Sequence, residues 1–321
     1  MPNILVVGSL NADLVVRAPR FPQPGETISG EDLQVIPGGK GANQAVAAAR
    51  LGANVSMLGR VGKDNFGDFL LNNLKSNHVD SQLVQRDEAS TGTATIIVDS
   101  NGQNSIVLSA GANGKVSPAD VESAPFFHHK LLLLQLEIPL PTVLRAAQLA
   151  KANNVRVILN PAPAKAIPDE LIALTDFIIP NETELSMLTG LDVTNIPSTE
   201  KAARVLLQRG AKNVIVTLGS KGALIVNKET STHVDTYKVD VVDTTAAGDA
   251  FIGGFATKLL DSVLESDSLL SDIREQAPAL QRAVQYGCAC GALATTKFGA
   301  QPSLPTKEDV EKLFRVTHGE P

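Results

Sequence analysis

The chain has 321 residues, of which 43% are hydrophobic and 19% charged, the composition of an ordinary globular protein. Its net charge is −6 and it has no Lys/Arg cluster, which argues against a nucleic-acid partner. No run approaches the ~20 apolar residues of a membrane span, and the first apolar run lacks the basic leader of a secretory signal. The two cysteines fit buried thiols of a reducing compartment, so we expect a cytoplasmic protein with no membrane partner.

Short β-type runs alternate with helical patterns along most of the chain. Strands are predicted at residues 4–7, 55–58, 131–135, 155–159, 177–179 and 214–217. Helices are predicted at residues 42–51, 66–77, 142–152, 182–189, 201–209, 248–264 and 277–295. This alternation predicts an α/β fold with a doubly wound, mostly parallel sheet covered by helices on both faces. We expect one large domain over residues 1–321.

Two stretches interrupt the alternation, at about residues 14–37 and 91–112. The first is rich in proline and has no long helix, and the second places Asn101-Gly102 between two β-prone runs, a strong hairpin signal. These stretches predict a small β-layer inserted into the α/β body. Two ordinary surface hairpins and a lid over a cleft fit the pattern equally well.

The most informative segment is residues 243–254, Asp-Thr-Thr-Ala-Ala-Gly-Asp-Ala-Phe-Ile-Gly-Gly, which leads directly into a helix. Small residues at a helix N-terminus let an anion approach the free N–H groups closely, and the helix dipole favours its charge. One interpretation is that Asp249, in this first turn, does no more than cap the helix. The density of small residues around it favours an active site, where it would take a proton from a hydroxyl beside the anion.

A second glycine-rich turn, residues 38–43 (Gly-Gly-Lys-Gly-Ala-Asn), also enters a helix. It is not a P-loop, because Lys40 is followed by glycine and Gln34 stands where the first glycine should be. It is not a dinucleotide fingerprint, because Gln44 occupies the position of the third glycine. The turn is either a tight loop or a place where the backbone approaches a polyol, with Asn43 and Lys40 as donors.

Other polar residues follow predicted strands, where ligands bind in open α/β sheets. Asn181 is by default a helix cap, but together with Glu184 it could bind Mg²⁺ through water. Residues 217–222 (Thr-Leu-Gly-Ser-Lys-Gly) fit either a hairpin or a nucleotide-binding loop. Singly, each of the remaining strand-end residues is more simply a solvated loop residue, but together they suit a hydroxyl-rich ligand; these are Asn11, Asp13 and Glu137.

Residues 38–43, 181–184 and 243–249 together resemble the signatures of the ribokinase-like (PfkB-type) family of carbohydrate kinases, in the family's order. The resemblance runs from about Ile4 to Ser303. It implies a Rossmann-like α/β body with a small inserted β-lid, and a homodimer that pairs through the lid. It also implies transfer of the ATP γ-phosphate to a primary hydroxyl, with Mg²⁺ and an activating K⁺ as further cofactors.

The resemblance also assigns site residues. Asp249 would be the base, and the anion hole would be formed by the backbone N–H groups of Ala246, Ala247, Gly248 and Asp249. Sugar contacts would fall on Asn11, Asp13, Gly39, Lys40, Asn43, Glu137 and Asp249. Nucleotide contacts would fall on Asn181, Thr217, Gly219, Ser220, Gly222, Gly248 and Cys288, with Glu184 holding Mg²⁺ through water. The monovalent-cation site would consist of Asp243, Thr245, Ala294, Lys297, Gly299 and Ser303.

The resemblance leaves substrate and nucleotide to be decided. We expect D-ribose, phosphorylated at O5, because Asn11 suits a hydrogen bond to a ribose hydroxyl; deoxyribose, fructose and adenosine remain alternatives. Cys288 stands where relatives often carry His or Asn near the adenine, which weakens the expectation of ATP.

Two other classes of protein remain to be weighed. A non-catalytic sugar or nucleotide sensor would lack Asp249 or the small residues before it, and a NAD-dependent dehydrogenase would need a glycine fingerprint that residues 8–11 do not have. The sequence assigns no role to Arg60 or Asp64.

Overall fold

The elements of the fold are taken from a computed structural model, which describes residues 3–265 and 273–318. The strands are, in chain order, β1 (Ile4–Val7), β2 (Asn11–Arg17), β3 (Gln34–Gly38), β4 (Val55–Gly62), β5 (Asp80–Asp87), β6 (Gly92–Val98), β7 (Asn104–Ser109), β8 (Leu131–Leu134), β9 (Arg156–Leu159), β10 (Phe177–Ile178), β11 (Asn213–Thr217), β12 (Ala223–Asn227) and β13 (Ser231–Val234). The helices are α1 (Lys40–Arg50), α2 (Asn65–Ser76), α3 (Pro118–Glu122), α4 (Leu140–Ala152), α5 (Asp169–Ala173), α6 (Glu182–Thr189), α7 (Ile196–Gln208), α8 (Ala247–Glu265), α9 (Ile273–Ala294), α10 (Ala300–Ser303) and α11 (Lys307–His318).

A large sheet forms the body, in the order β13-β12-β11-β10-β9-β8-β1-β4-β5. Neighbours from β10 to β5 pair in parallel, and β12 pairs antiparallel with both β11 and β13. β1 and β8 are aliphatic and buried throughout, because parallel strands are covered on both faces. Successive residues of β1 enter two different cores, one shared with α1, α8 and α9 and the other with α4 and α7. The predicted doubly wound, mostly parallel sheet is therefore confirmed.

A second, smaller sheet has the order β3-β2-β6-β7. Its inner strands β2 and β6 pair in parallel from Asn11↔Gly92 to Arg17↔Val98, so the two interrupting stretches join in one layer. β6 and β7 form the hairpin predicted from Asn101-Gly102, with Gly102 at φ 77°. Two independent surface hairpins are excluded by this pairing. We call the small sheet the lid sheet.

Arg60 and Asp64, to which the sequence assigned no role, hold the chain segments on either side of the β6–β7 hairpin. The carboxylate of Asp64 caps α2 by accepting from the Gly67 amide at 2.8 Å. It also accepts from the amide of Thr91 at 2.8 Å and from its hydroxyl at 2.6 Å, directly before β6 begins. Arg60 on β4 forms ion pairs with Asp87 on β5 and Asp120 on α3. These contacts fix the point at which the chain leaves the body sheet.

No helix in the described ranges is long and apolar enough to cross a membrane. The cytoplasmic location remains a prediction. The single domain over residues 1–321 also remains a prediction, and residues 1–2, 266–272 and 319–321 lie outside the part of the chain that the structure describes.

Replacing Asp64 with alanine should lower the free energy of unfolding by about 2 kcal/mol, because a helix cap and two partly buried hydrogen bonds to Thr91 are lost together. Asp68→Ala is the matched control, since Asp68 lies in the same helical turn but forms only an exposed ion pair with Arg86. It should cost less than ~1 kcal/mol. Urea unfolding of both variants checks this. Equal losses of unfolding free energy in the two variants would contradict the proposed role of Asp64.

Candidate active site

The site is built around the beginning of α8. Ala246 adopts the left-handed conformation, φ 60°, and its carbonyl accepts the Ala250 amide at 2.8 Å, which starts the helix. The N–H groups of Gly248 and Asp249 in the first turn have no protein acceptor within the described ranges. A Cβ built on Gly248 would meet no atom within 4 Å, so there is open space beside this first turn. This helix end can receive an anion.

The Asp249 carboxylate is 5% exposed and is held from α1. One oxygen accepts from Asn43 Nδ2 at 2.9 Å and the other from Gln44 Nε2 at 3.0 Å. Both donors are uncharged amides, so they orient the carboxylate without adding a formal charge of their own. Each oxygen keeps a lone pair for another donor.

Gln44 belongs to a chain of buried amides that the sequence reading missed. Gln135 Nε2 donates to Gln44 Oε1 at 2.6 Å, and Gln44 Nε2 reaches Asn160 Oδ1 at 3.3 Å. Asn160 in turn donates to the Ile179 carbonyl at 3.1 Å. The available signal was weak: Gln44 is a polar residue inside an Ala-rich helix, and Gln135 directly follows an all-Leu strand.

On the lid side, Asp13 of β2 lies directly over the glycine-rich turn. A Cβ at Gly38 would come within 2.1 Å of Asp13 Oδ2, so only glycine leaves room for this carboxylate. Glu137 Oε2 accepts from the Lys40 amide at 3.1 Å and from the Ser9 hydroxyl at 2.5 Å. The structure thus brings Asp13, Lys40 and Glu137 to the same end of the sheet as Asp249; Ser9 is a further residue that the sequence reading missed.

Several carboxylates surround Lys40. Burial alone would lower the pKa of Lys40, but the surrounding carboxylates together raise it. These are Asp249, Glu137, Glu184 and Asp13. Burial raises the pKa of Asp13 to about 7, with Glu137 and Asp249 adding to the rise and Lys40 opposing it. Burial also raises the pKa of Glu184. An ammonium with so many acidic neighbours stays protonated at neutral pH.

Most of the predicted nucleotide residues lie near the ends of β10 and β11, whereas Gly248 is on α8 and Cys288 on α9. Asn181 and Glu184 form a capping box on α6, with Asn181 N donating to Glu184 Oε2 at 2.9 Å and Glu184 N donating to Asn181 Oδ1 at 2.8 Å. Asn181 and Thr217 also form an isolated parallel β-bridge through their backbones. The next segment is a hairpin from β11 to β12 that leaves Gly219 and Ser220 exposed and Gly222 buried.

Cys288 lies on α9 with 4% of its surface exposed. Burial raises the pKa of its thiol to about 12. The side chain is therefore neutral at physiological pH and has little surface to offer a ligand. The predicted contact between Cys288 and the nucleotide stays a prediction.

Three of the residues predicted to hold a monovalent cation contact one another close to the start of α8; these are Asp243, Thr245 and Gly299. One oxygen of Asp243 accepts from the amide and hydroxyl of Thr245, at 2.9 and 2.7 Å, and the other accepts from the Gly299 amide at 2.9 Å. The Asp243 amide donates to the Thr295 carbonyl at 3.1 Å, which ties the segment to the end of α9, where Ala294 lies. Lys297 is exposed, and the Ser303 hydroxyl donates to the Ala300 carbonyl.

A cavity of about 340 Å³ opens between the lid sheet and this part of the body. Its walls include Asp13, Ile36, Ile96, Asp243, Thr244 and Phe298. The polar groups Asp13 and Asp243 therefore line one space together with the apolar lid residues Ile36 and Ile96. Within the described ranges, no group of three or more His, Cys, Asp or Glu side chains is arranged to hold a metal ion without help from other ligands.

Comparison with known proteins places the chain in a family. The model for the pfkB family carbohydrate kinases matches residues 1–307, and the chain belongs to that family. A ribokinase from Staphylococcus aureus is 40% identical over 314 residues, covering 97% of this chain and 99% of the relative. A deoxyribokinase from Salmonella typhi is also 40% identical, over 98% of this chain and 99% of the relative.

A solved structure shows the same fold. The ribokinase of Arabidopsis thaliana complexed with ribose and ATP superposes with a TM-score of 0.86 at 34% identity, over 98% of this chain and 99% of that one. The predicted family and the predicted ribokinase-like fold are therefore confirmed, and the chain is a carbohydrate kinase.

The Asp13→Asn variant should be more stable than the wild type at neutral pH. Unfolded aspartate ionises near pH 4, whereas native Asp13 keeps its proton until about pH 7, so this group lowers the stability of the wild type as the pH rises across that window. The stability gained by Asp13→Asn should therefore grow between about pH 5 and pH 8. Urea unfolding at both pH values checks this, with the exposed Asp192→Asn as control; a gain that does not change with pH would refute the buried charge.

Proposed function

We propose that this carbohydrate kinase phosphorylates D-ribose at O5 with ATP, giving ribose 5-phosphate and ADP. The observation that carries the proposal is Asp249, a buried carboxylate oriented by two amides in the first turn of α8, where the Gly248 and Asp249 N–H groups have no acceptor in the described ranges. The ribose and ATP bound by the Arabidopsis relative support the same pair of substrates here.

In this mechanism Asp249 acts as the general base. The O5 hydroxyl donates to one carboxylate oxygen and passes its proton there as the hydroxyl oxygen attacks the γ-phosphorus of ATP. Asn43 and Gln44 hold the carboxylate in place while the proton moves. Burial keeps bulk water from taking the place of the sugar hydroxyl.

The backbone amides from Ala246 to Asp249 form the proposed anion hole. They donate to the transferring phosphoryl group, where negative charge gathers in the transition state. The Lys40 ammonium adds a positive charge to the same region, since the carboxylates around it raise its pKa. The proposed sugar contacts are Asn11, Asp13, Gly39, Lys40, Asn43, Glu137 and Asp249.

The nucleotide side is proposed from the ends of β10 and β11. Asn181, Thr217, Gly219, Ser220, Gly222, Gly248 and Cys288 are the proposed nucleotide contacts. Glu184 fits an Mg²⁺ ion held through water, because Oε2 is bonded to the Asn181 amide and the other carboxylate oxygen remains available. When bound, Mg²⁺ would neutralise phosphate charge.

The K⁺ site is proposed from Asp243, Thr245, Ala294, Lys297, Gly299 and Ser303. These residues offer oxygen donors of the kind that alkali cations take, and Asp243 supplies a negative charge beside the start of α8. A bound K⁺ would supply a fixed positive charge near the proposed anion hole.

The cation proposal predicts that replacing K⁺ with Na⁺ or Tris lowers turnover. The comparison uses saturating MgATP and ribose at constant ionic strength, so that general screening is unchanged. Equal rates with all three cations would remove the K⁺ site from the mechanism.

The substrate is tested by ADP release from MgATP in K⁺ buffer with ribose, deoxyribose, fructose, adenosine or no sugar. Deoxyribose is the strongest alternative substrate, since a deoxyribokinase is as similar in sequence to this chain as a ribokinase is. We expect the largest kcat/KM with ribose, because a site that hydrogen-bonds a hydroxyl disfavours a sugar that lacks it. A larger kcat/KM with another compound would overturn ribose but keep the kinase.

The Asp249→Asn variant should lose ~10²–10⁴-fold in kcat, because the amide cannot take the proton, while ribose binding changes little. Asp192→Asn is the matched control, an exposed aspartate between α6 and α7. Steady-state kinetics and ribose binding by calorimetry check both variants. Near-normal turnover of Asp249→Asn would exclude Asp249 as the base.

We also propose a homodimer that forms through the lid sheet. All residues of β7 are exposed, among them Ile106, Val107 and Leu108. An exposed apolar edge strand of this kind can pair with a second protein chain. Val107→Lys should shift the protein toward monomers in analytical ultracentrifugation, and an unchanged mass would exclude this surface.

A further inference from the structure

Asn113 is a buried residue that neither the sequence reading nor the proposed mechanism uses. It lies in the 3₁₀ turn that follows β7 and is 2% exposed. Its side-chain oxygen Oδ1 accepts the Leu10 amide at 2.9 Å, and its Nδ2 donates to the Leu10 carbonyl at 3.0 Å. The amide of Asn113 therefore pairs with both backbone groups of one residue, immediately before the proposed sugar contact Asn11.

This double contact fixes the orientation of the Asn113 amide. A backbone N–H can only donate and a carbonyl can only accept, so Oδ1 and Nδ2 of Asn113 cannot exchange places. The second hydrogen of Nδ2 points to Asn11 Oδ1, at an N···O distance of 2.7 Å. Because only an oxygen can accept this hydrogen, the orientation of the Asn11 amide is fixed as well.

Asn11 is 5% exposed, and its Nδ2 has no hydrogen-bond partner among residues 3–265 and 273–318. This nitrogen is not one of the fully buried side-chain atoms that lack a partner, so it is accessible and free to donate to a ligand. Gly92, which pairs with Asn11 across the lid sheet, keeps the arrangement open. A Cβ on Gly92 would lie 2.2 Å from Asn113 Nδ2 and 2.5 Å from Asn11 Oδ1.

We infer that Asn113 is a positioning residue for sugar recognition, which makes Asn11 present a hydrogen-bond donor and not an acceptor to the substrate. The inference rests on the proposed function. Asp13, two residues further along β2, accepts hydrogen bonds when ionised. Asn11 and Asp13 thus offer one donor and one acceptor, which suits hydroxyl groups that both accept and donate. With the Asn11 amide reversed, β2 would present acceptors only.

The direct test is the Asn113→Asp variant. An aspartate still accepts from the Leu10 amide but can donate neither to the Leu10 carbonyl nor to Asn11 Oδ1, so the Asn11 amide reverses and turns its oxygen toward the sugar. We expect the KM for ribose to rise ~10-fold or more, the size of one lost hydrogen bond to a buried partner. The KM for ATP and kcat should stay within about 3-fold of wild type, since Asn113 touches neither Asp249 nor the nucleotide residues.

A double-mutant cycle with Asn11→Ala separates positioning from a general structural role. If Asn113 acts through Asn11, then Asn113→Asp should add little to the rise in KM once Asn11 is alanine. Additive effects, or an equal rise in the KM for ATP, would overturn the inference. Gly92→Ala is a second, independent perturbation of the same contact and should give the same selective rise in sugar KM, even if Asn113→Asp folds poorly.

The wild-type sugar panel is run first, and the cycle uses the acceptor with the largest kcat/KM. A best acceptor other than ribose would refute the proposed substrate. Additivity on that best acceptor would refute the role of Asn113. The two failures are therefore distinguishable.

Discussion

Several carboxylates are buried at one end of the body sheet, and Lys40 is the cation placed among them. Asp13, Glu137, Glu184 and Asp249 all act on its pKa, although they come from four separate segments of the chain. Burial, and after it repulsion from Glu137 and Asp249, raises the pKa of Asp13. Placing these carboxylates close together lowers the stability of the fold, so stability alone does not explain the arrangement. The arrangement is useful when hydroxyl groups and phosphates arrive to use the acceptors and the ammonium.

The framework around this cluster holds its members apart without neutralising them. Uncharged amides, from Asn43 and Gln44, orient Asp249, and a hydroxyl and a backbone amide hold Glu137. Two glycines are equally important to the site because they have no side chain. Gly38 leaves room for Asp13, and Gly92 leaves room for the Asn11–Asn113 contact. The glycines and amides are therefore as specific to the site as the charged residues are.

The sequence predicts the body better than its edges. The aliphatic runs of β1 and β8 and the long helices α8 and α9 have clear periodicity, but β5 and β13 are polar edge strands that a neighbouring strand stabilises by hydrogen bonding. The candidate site divides similarly. Asp249 and Lys40 lie in recognisable glycine-rich segments, whereas Gln135 and Asn113 are single polar residues whose partners lie 91 and 103 positions away. Pattern alone does not show such long-range pairs.

The central claim is that this site directs a phosphoryl group to one primary hydroxyl of a sugar, and the position of the phosphate in the product tests it most directly. The product of wild-type enzyme, MgATP and ¹³C-labelled ribose can be identified by phosphorus and carbon NMR. Our account predicts ribose 5-phosphate, formed in equal amount to ADP. Phosphate on another ribose oxygen, or ADP formed without any sugar phosphate, would contradict it.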